Sequence, residues 1–225
     1  MDLSDKKNAV DILKALAKKS YDIAFEAYRK DDFETTRKYR DMAIEDYYRA
    51  LVIAREEYGE PSMQVAGICL EIGRCYKWMA FGRGTELTQF LETGFKYLLK
   101  AAEMYEKLVS VSKNNKFFAN LYVDIGGFFY MNQQYDDVLP WRLKGYRAMI
   151  SGEHDLEQLG KIEISILFTY RKTKSTVPYE EYMKAQGITP IIESVSEKVI
   201  DTSFSQFTVK LKGLEKPCVW ELSAG

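Results

Sequence analysis

Residues 118–146 have the sequence FANLYVDIGGFFYMNQQYDDVLPWRLKGY, in which a polar break at 132–134 separates two apolar patterns. On each side of the break, apolar residues recur at the three- and four-residue spacing of one helix face. The tiny residue Gly126 lies in the first pattern and Gly145 in the second. The segment therefore predicts a helical hairpin whose two backbones approach closely at these glycines.

The same hairpin pattern occurs twice upstream. The first-helix pattern is an aliphatic residue, a tiny residue and a packing residue three positions further on, at Ile23-Ala24-x-x-Ala27, Ile72-Gly73-x-x-Tyr76 and Ile125-Gly126-x-x-Phe129. The second-helix pattern contains a large, a smaller, an aromatic and a tiny residue, at Phe33-Thr36-Tyr39-Ala43, Leu91-Gly94-Tyr97-Ala101 and Tyr135-Val138-Trp141-Gly145. A single hairpin cannot bury its apolar face, so the repetition predicts hairpins stacked on one another.

These columns resemble the tetratricopeptide repeat. That family has a Leu-Gly pair followed by an aromatic residue, which the segments beginning at Ile72 and Ile125 match, and Tyr135 matches the aromatic that opens its second helix. Residues 50–61 resemble the linker of the longer, kinesin-light-chain-like variety. The resemblance covers residues 10–150, and up to 186 at its widest. It implies an all-α fold, a right-handed α-α superhelix of tetratricopeptide-like hairpins.

The pattern changes after Gly187. The segment Ile191–Ile200 fits a helix or a strand, whereas Phe207, Val209 and Leu211 alternate with polar residues as in a half-buried strand. We therefore expect a helical repeat domain at residues 1–187 and a C-terminal extension at residues 188–225. The extension is a small appendage for which strands and an extended tail both remain open.

Turn residues predict where the helices begin and end. Gly59 is expected to end the second helix, and Pro61 to lie in the first turn of the third. Gly82-Arg83-Gly84 is expected to end the third helix, and Thr85 or Thr88 to cap the fourth. The stretch Lys113-Asn114-Asn115 is expected to be a polar turn. A helix from Tyr135 to about Ile150 is expected, with Pro140 tolerable only in its first turn.

Charge and apolar content argue against several classes of protein. The 32 basic and 33 acidic residues nearly cancel, which leaves no net attraction to nucleic acid or an anionic membrane. No apolar stretch of about 18 residues occurs, and residues 1–19 lack a signal peptide's apolar run. Cys69, Cys75 and Cys218 have no disulfide-framework spacing, so we expect free thiols in a cytoplasmic protein.

Catalytic signatures are weak. His154 is the single histidine, so Cys75 has no second imidazole to act as its base. The paired acids lie at expected helix starts and ends, where capping and the helix dipole explain them. We therefore expect a protein that is not an enzyme and has no cofactor and no metal.

The family resemblance implies that ligands lie along the concave face formed by the first helix of each hairpin. Aromatic, cationic and amide residues at those positions make the candidate partner-binding set: Tyr21, Tyr28, Arg29, Arg74, Lys77, Trp78, Asn120 and Tyr130. The same face is expected to include Phe25, Leu70, Val123, Gly127 and Met131. Aromatics beside Arg and Lys suit a peptide groove, although packing between long helices explains the aromatics equally well. The family's clamp for a C-terminal carboxylate needs Lys and Asn where this chain has Tyr21 and Phe25, so that ligand is not predicted.

The function expected from these patterns is that of an adaptor or scaffold whose partner is a protein or a peptide. The alternative is a regulator that senses a peptide and uses residues 188–225 as its output. An enzyme subunit is disfavoured by the single histidine and the scattered acids. Self-association of the chain is an open alternative to a foreign partner.

Overall fold

Helices dominate the computed structural model, which describes residues 3–79, 87–152, 155–173, 175–199 and 204–223. The α-helices of these residues are α1 (Leu3–Tyr28), α2 (Phe33–Tyr58), α3 (Met63–Met79), α4 (Leu87–Leu108), α5 (Asn115–Met131), α6 (Tyr135–Ile150), α7 (Leu156–Lys172) and α8 (Tyr179–Ala185). A short 3-10 helix, Ser112–Asn114, precedes α5. The strands are β1 (Ile192–Val199), β2 (Phe204–Leu211) and β3 (Cys218–Ser223). The expectation of a mainly helical chain is confirmed.

The helices from α1 to α6 pack as consecutive pairs, α1 with α2, α3 with α4 and α5 with α6. Pairing is antiparallel, since Lys6 near the start of α1 forms an ion pair with Glu56 near the end of α2, at 3.5 Å. The predicted helical hairpins are therefore present. In addition, α3 packs on α2, and α7 packs on α6.

The small residues lie where paired helices approach most closely. A Cβ added at Gly73 would lie 2.6 Å from Leu98 Cδ2 on α4, and one at Gly145 would lie 3.0 Å from the Ala119 carbonyl oxygen on α5. At Gly126 it would lie 3.3 Å from Trp141 Cβ. The role predicted for the tiny residues is thus confirmed.

Several helix ends differ from the expectations. Gly59 does end α2, with φ of 68°. Pro61, however, precedes α3, whose first turn is capped by the Ser62 hydroxyl accepting from the Val65 N–H at 3.4 Å. Asn115, expected in a turn, is the first residue of α5. Its buried side chain donates to the Met149 carbonyl at 2.8 Å, which holds the start of α5 against α6. Pro140 lies in the second turn of α6 and is exposed, so the carbonyl left without a partner can face water.

The buried face of α1 also differs from the predicted one. In the sequence, Ile12, Leu13 and Leu16 recur at helical spacing, which predicts that all three lie on the apolar face. Val10, Leu13 and Ala17 are buried, whereas Ile12 and Leu16 are 52% and 48% exposed. The period was right, but packing against α2 selects a narrower stripe than the apolar residues alone define. The glycine stop predicted at Gly82–Gly84 and the cap candidate Thr85 lie outside the described residues. The alternative cap, Thr88, lies inside α4 and not before it.

The C-terminal strands form an antiparallel sheet in the order β1-β2-β3. Phe207, Val209 and Leu211 of β2 are buried, as their alternation predicted, and Trp220 of β3 pairs with Phe207. These side chains pack with Ile164 of α7 in one apolar cluster. Of segment 191–200, for which helix and strand were open, residues Ile192–Val199 form β1, an edge strand of this sheet.

The chain divides into two compact units, residues 1–110 and residues 111–225. The first contains α1 to α4, and the second contains α5 to α8 with the sheet. The division at residue 187 proposed from the sequence stays a prediction.

Candidate partner-binding surface

In the first unit, the candidate residues of α1 lie toward its C-terminal end. Tyr21 and Tyr28 are half-buried, and Arg29, just beyond the helix, is exposed and pairs with Glu26 at 3.9 Å. Tyr47 of α2, which lies near Tyr21, is buried, and burial raises the pKa of its hydroxyl well above the ordinary value.

The candidates on α3 approach those on α1 through Tyr47. Both Tyr21 of α1 and Glu71 of α3 lie close enough to Tyr47 to raise its pKa further. Glu71 in turn forms an ion pair with Arg74 at 3.1 Å. Lys77 is half-buried one turn further along. Trp78 lies within α3, but its side chain is outside the described part of the chain.

In the second unit, the candidates lie along one face of α5, here called the α5 strip: Asn120, Val123, Gly127 and Tyr130. Asn120 is exposed and the other three are half-buried. At 1.5 Å per residue, the strip is about 15 Å long from Asn120 to Tyr130. An extended peptide of about four or five residues has this length.

One end of the α5 strip is an amide pair. Gln158 Nε2 on α7 donates to Asn120 Oδ1 at 3.0 Å, and both residues retain contact with solvent. The start of α7 is fixed by Asp155, whose carboxylate accepts from the backbone N–H groups of Glu157 and Gln158. The pair therefore presents positioned amide groups, which can recognise the backbone of an extended chain.

The other end of the strip is an arginine held over an aromatic ring. Arg142 Cζ of α6 lies 4.9 Å from the centroid of the Tyr130 ring. Its Nη1 donates to the Ser165 carbonyl and to the Thr169 hydroxyl of α7. Burial lowers the pKa of Arg142 to about 10, so its guanidinium remains charged at neutral pH. The guanidinium of Arg142 on α6 thus contacts both α5 and α7.

Two candidate aromatics also pack inside their own hairpins. Tyr28 meets Phe33 edge-to-face with ring centroids 6.5 Å apart, and Tyr130 meets Tyr135 in the same way at 5.3 Å. Phe33 and Tyr135 open the second helices of their hairpins. Of the two alternatives that the sequence left open, packing is observed for both tyrosines, and the Tyr130 ring also contacts Arg142. The groove role stays a prediction.

Sequence reasoning missed Arg142, Gln158 and Thr169. A signal for the arginine was present, because Arg142 follows the aromatic Trp141 as Arg40 follows Tyr39 in the first hairpin. No periodicity could have assigned the α7 residues, since their role depends on α7 packing beside α5 and α6. Leu70, a lesser candidate for the same face, is buried.

The remaining predictions concern reactive groups. Cys69 and Cys75 are fully buried free thiols, and burial raises their pKa values to about 11 and about 12. His154 lies outside the described residues. Within the described ranges, no group of three or more His, Cys, Asp and Glu side chains could hold a metal ion. None of the helices described here combines the length and apolar character needed to cross a membrane.

Comparison with known proteins finds similarity to solved structures but no matching family model or curated protein. Among solved structures, the chain is similar to the crystal structure of BtubC (BKLC) from P. vanneervenii, with a TM-score of 0.49 and 16% sequence identity. The match covers 89% of this chain and 97% of that chain. At these values the likeness assigns neither a family nor a function to this chain.

Proposed function

We propose that this protein is a non-enzymatic adaptor that binds a peptide or a segment of a partner protein along the first helices of its hairpins. In the second unit the binding surface is the α5 strip. Each pair of helices would be a tetratricopeptide-like hairpin of a superhelix, with its first helix on the concave face. In the first unit, the candidates on α1 and α3 would form the binding surface.

The observation that carries the proposal is the combination of groups along the α5 strip. Its two ends present the Asn120–Gln158 amide pair and the Arg142 guanidinium, and Val123 and Gly127 between them offer little polar surface. An extended peptide has amide groups along its whole length and side chains in between. The strip therefore offers polar groups for orientation and a shallow apolar path for contact.

The position of Asn120 also suits its amide to binding a ligand better than to stabilising the fold. Asn120 is exposed, so its amide stabilises the fold little through burial. Helix α5 needs no side chain at this position to form, because its hydrogen bonds are made by the backbone. A surface amide held by Gln158 in one orientation loses little side-chain freedom when a ligand arrives.

The test is selection of binding peptides from a displayed random library, followed by measurement of the dissociation constant by fluorescence anisotropy. We expect Asn120→Ala to weaken the selected peptides about tenfold, which corresponds to roughly 1.4 kcal/mol. The urea midpoint should stay nearly unchanged, since the residue is exposed.

The matched control is Asn132→Ala, which removes an exposed amide at the end of α5 that lies off the strip. It should bind the peptides as the unmodified chain does. A library that yields no binder, or equal weakening by both variants, would contradict the proposal.

A further inference from the structure

We propose that Arg142 is the anchor of the surface and binds an oxyanion, the carboxylate of an acidic residue in the partner peptide. The inference rests on the proposed function and specifies the chemistry of its ligand. It assigns the Arg142 end of the α5 strip to the acidic residue and the Asn120 end to an uncharged part of the peptide.

The path of the arginine side chain depends on a glycine. A Cβ at Gly126 would lie 3.6 Å from Arg142 Cγ, so the aliphatic stem crosses α5 at the position where no side chain stands in its way. The guanidinium then reaches Tyr130, one turn further along α5, and the Ser165 and Thr169 oxygens of α7. Its orientation is fixed from three helices.

Among the described residues, no carboxylate balances the charge of this guanidinium. Both of its hydrogen-bond acceptors are neutral, and no described Asp or Glu lies close enough to affect its pKa. The Arg142 side chain is half-buried, and a charge partly removed from water is normally paired with an opposite charge, because leaving it unpaired costs free energy. An anionic ligand would supply the missing partner.

The donors left over lie on one edge of the guanidinium. Nη1 donates its hydrogen bonds to Ser165 and Thr169 of α7, while Nε is buried without a partner among the described residues. Nη2 makes no hydrogen bond to them and is not one of their fully buried polar atoms. Nε and Nη2 form the side edge of the fork that pairs with two oxygens of a carboxylate. An oxyanion would meet Nη2 first and reach Nε after a small side-chain adjustment.

The direction of the peptide follows from the surrounding charges. Asp124 lies on α5 between Asn120 and Tyr130 and carries a negative charge. It disfavours a second acidic residue near the Asn120 end of the strip. The Tyr130 ring beside Arg142 also carries a hydroxyl group that can donate to the same anion.

The experiment measures three versions of each selected peptide, with Glu, Gln or phosphoserine at the acidic position, against the unmodified chain and Arg142→Met. With the unmodified chain we expect Glu→Gln in the peptide to weaken binding about tenfold, the usual scale for a charged hydrogen bond. With Arg142→Met the same peptide change should have no effect. Phosphoserine binding more tightly than Glu would identify a phosphoryl group as the preferred oxyanion.

Arg171→Met is the matched control, since Arg171 is exposed at the end of α7 and contacts the Phe168 ring instead. It should leave the Glu-to-Gln difference intact. Should Arg142→Met fail to fold, Arg142→Lys keeps the charge and stem but loses the fork, and it should reduce the difference. Selected peptides that distinguish Glu from Gln equally on every variant would overturn the inference and leave the proposed function standing.

A second measurement needs no peptide. The Nε–Hε nuclear magnetic resonance signal of Arg142, assigned with Arg142→Lys, is followed during titration with sodium acetate and then with inorganic phosphate. We expect a saturable shift of this signal that the Arg171 signal does not share. Absence of a saturable shift with both anions would overturn the inference even if the library had yielded no binder.

Discussion

At the scale of single residues, the small positions in the hairpins differ in how much space surrounds them. The position of a Cβ at Gly73 lies 2.6 Å from Leu98 Cδ2 and 3.1 Å from the Gly94 carbonyl oxygen. At Gly126 the nearest atom, Trp141 Cβ, is 3.3 Å away. Contacts below 3.0 Å require atoms to move, and a backbone oxygen moves less readily than a side-chain end. Gly73 therefore has less space for a side chain than Gly126, although both occupy the same column of the repeat.

We expect Gly73→Ala to destabilise the protein by about 1–3 kcal/mol, the usual range for overpacking. For Gly126→Ala the tighter contact should be offset by the better helix propensity of Ala, worth roughly 1 kcal/mol, so the net change should be small. Urea unfolding followed by circular dichroism measures both. The opposite order of stabilities would show that the α3–α4 contact is looser than described.

At the scale of elements, α7 joins the helices to the sheet. A Cβ at Gly160 would lie 2.6 Å from Leu211 Cδ1, so β2 packs directly on the helix backbone. Three residues later, the buried Glu163 accepts hydrogen bonds from the backbone N–H groups of Ile191 and Ile192, at 2.9 and 3.1 Å. The Tyr146 hydroxyl donates to the same carboxylate at 3.2 Å. One side chain thus fixes the start of β1 against α6 and α7.

This carboxylate should make stability depend on pH. Burial raises the pKa of Glu163 above 4.5, against the lowering effect of its N–H partners and of Lys212. The folded protein therefore holds this proton more tightly than the unfolded chain does. Its contribution to the free energy of unfolding should then decrease as pH rises from 4.5 through the raised value.

Glu163→Gln removes the titrating carboxyl group and its pH-dependent contribution to stability. The glutamine has one carbonyl oxygen and one amide nitrogen, so it cannot accept hydrogen bonds from both backbone N–H groups. We expect the free energy of unfolding to fall by about 1–3 kcal/mol, which is typical when a buried donor is left unpaired. The stability of the variant should also vary less with pH above 4.5. Urea unfolding at a series of pH values compares the two chains, and parallel curves would exclude a titrating role for Glu163.

At the scale of the whole molecule, each compact unit has buried residues of its own. In residues 111–225 these include Phe118, Tyr122 and Tyr146 among the helices and Val209 and Leu211 in the sheet. The sheet has three strands and buries its apolar face on α7. Small sheets of this kind need such a partner to be stable in water.

We therefore expect a fragment of residues 111–225 to unfold cooperatively in urea, whereas residues 188–225 alone should show no transition. Circular dichroism and amide chemical-shift dispersion measure both fragments. A cooperative transition of residues 188–225 would instead support a domain boundary at residue 187, the division proposed from the sequence.

The sequence by itself determined the helical hairpins and the strand at Phe207, Val209 and Leu211, because helix and strand periods and side-chain size are expressed by neighbouring residues. Only the tertiary structure decided which apolar stripe of α1 is buried and where Arg142 and Glu163 find their partners. Arg142 meets α7 residues 23 and 27 positions away, and Glu163 meets Ile191 28 positions away. No periodicity specifies such pairs, since their distance depends on how packed helices lie against each other and against the sheet.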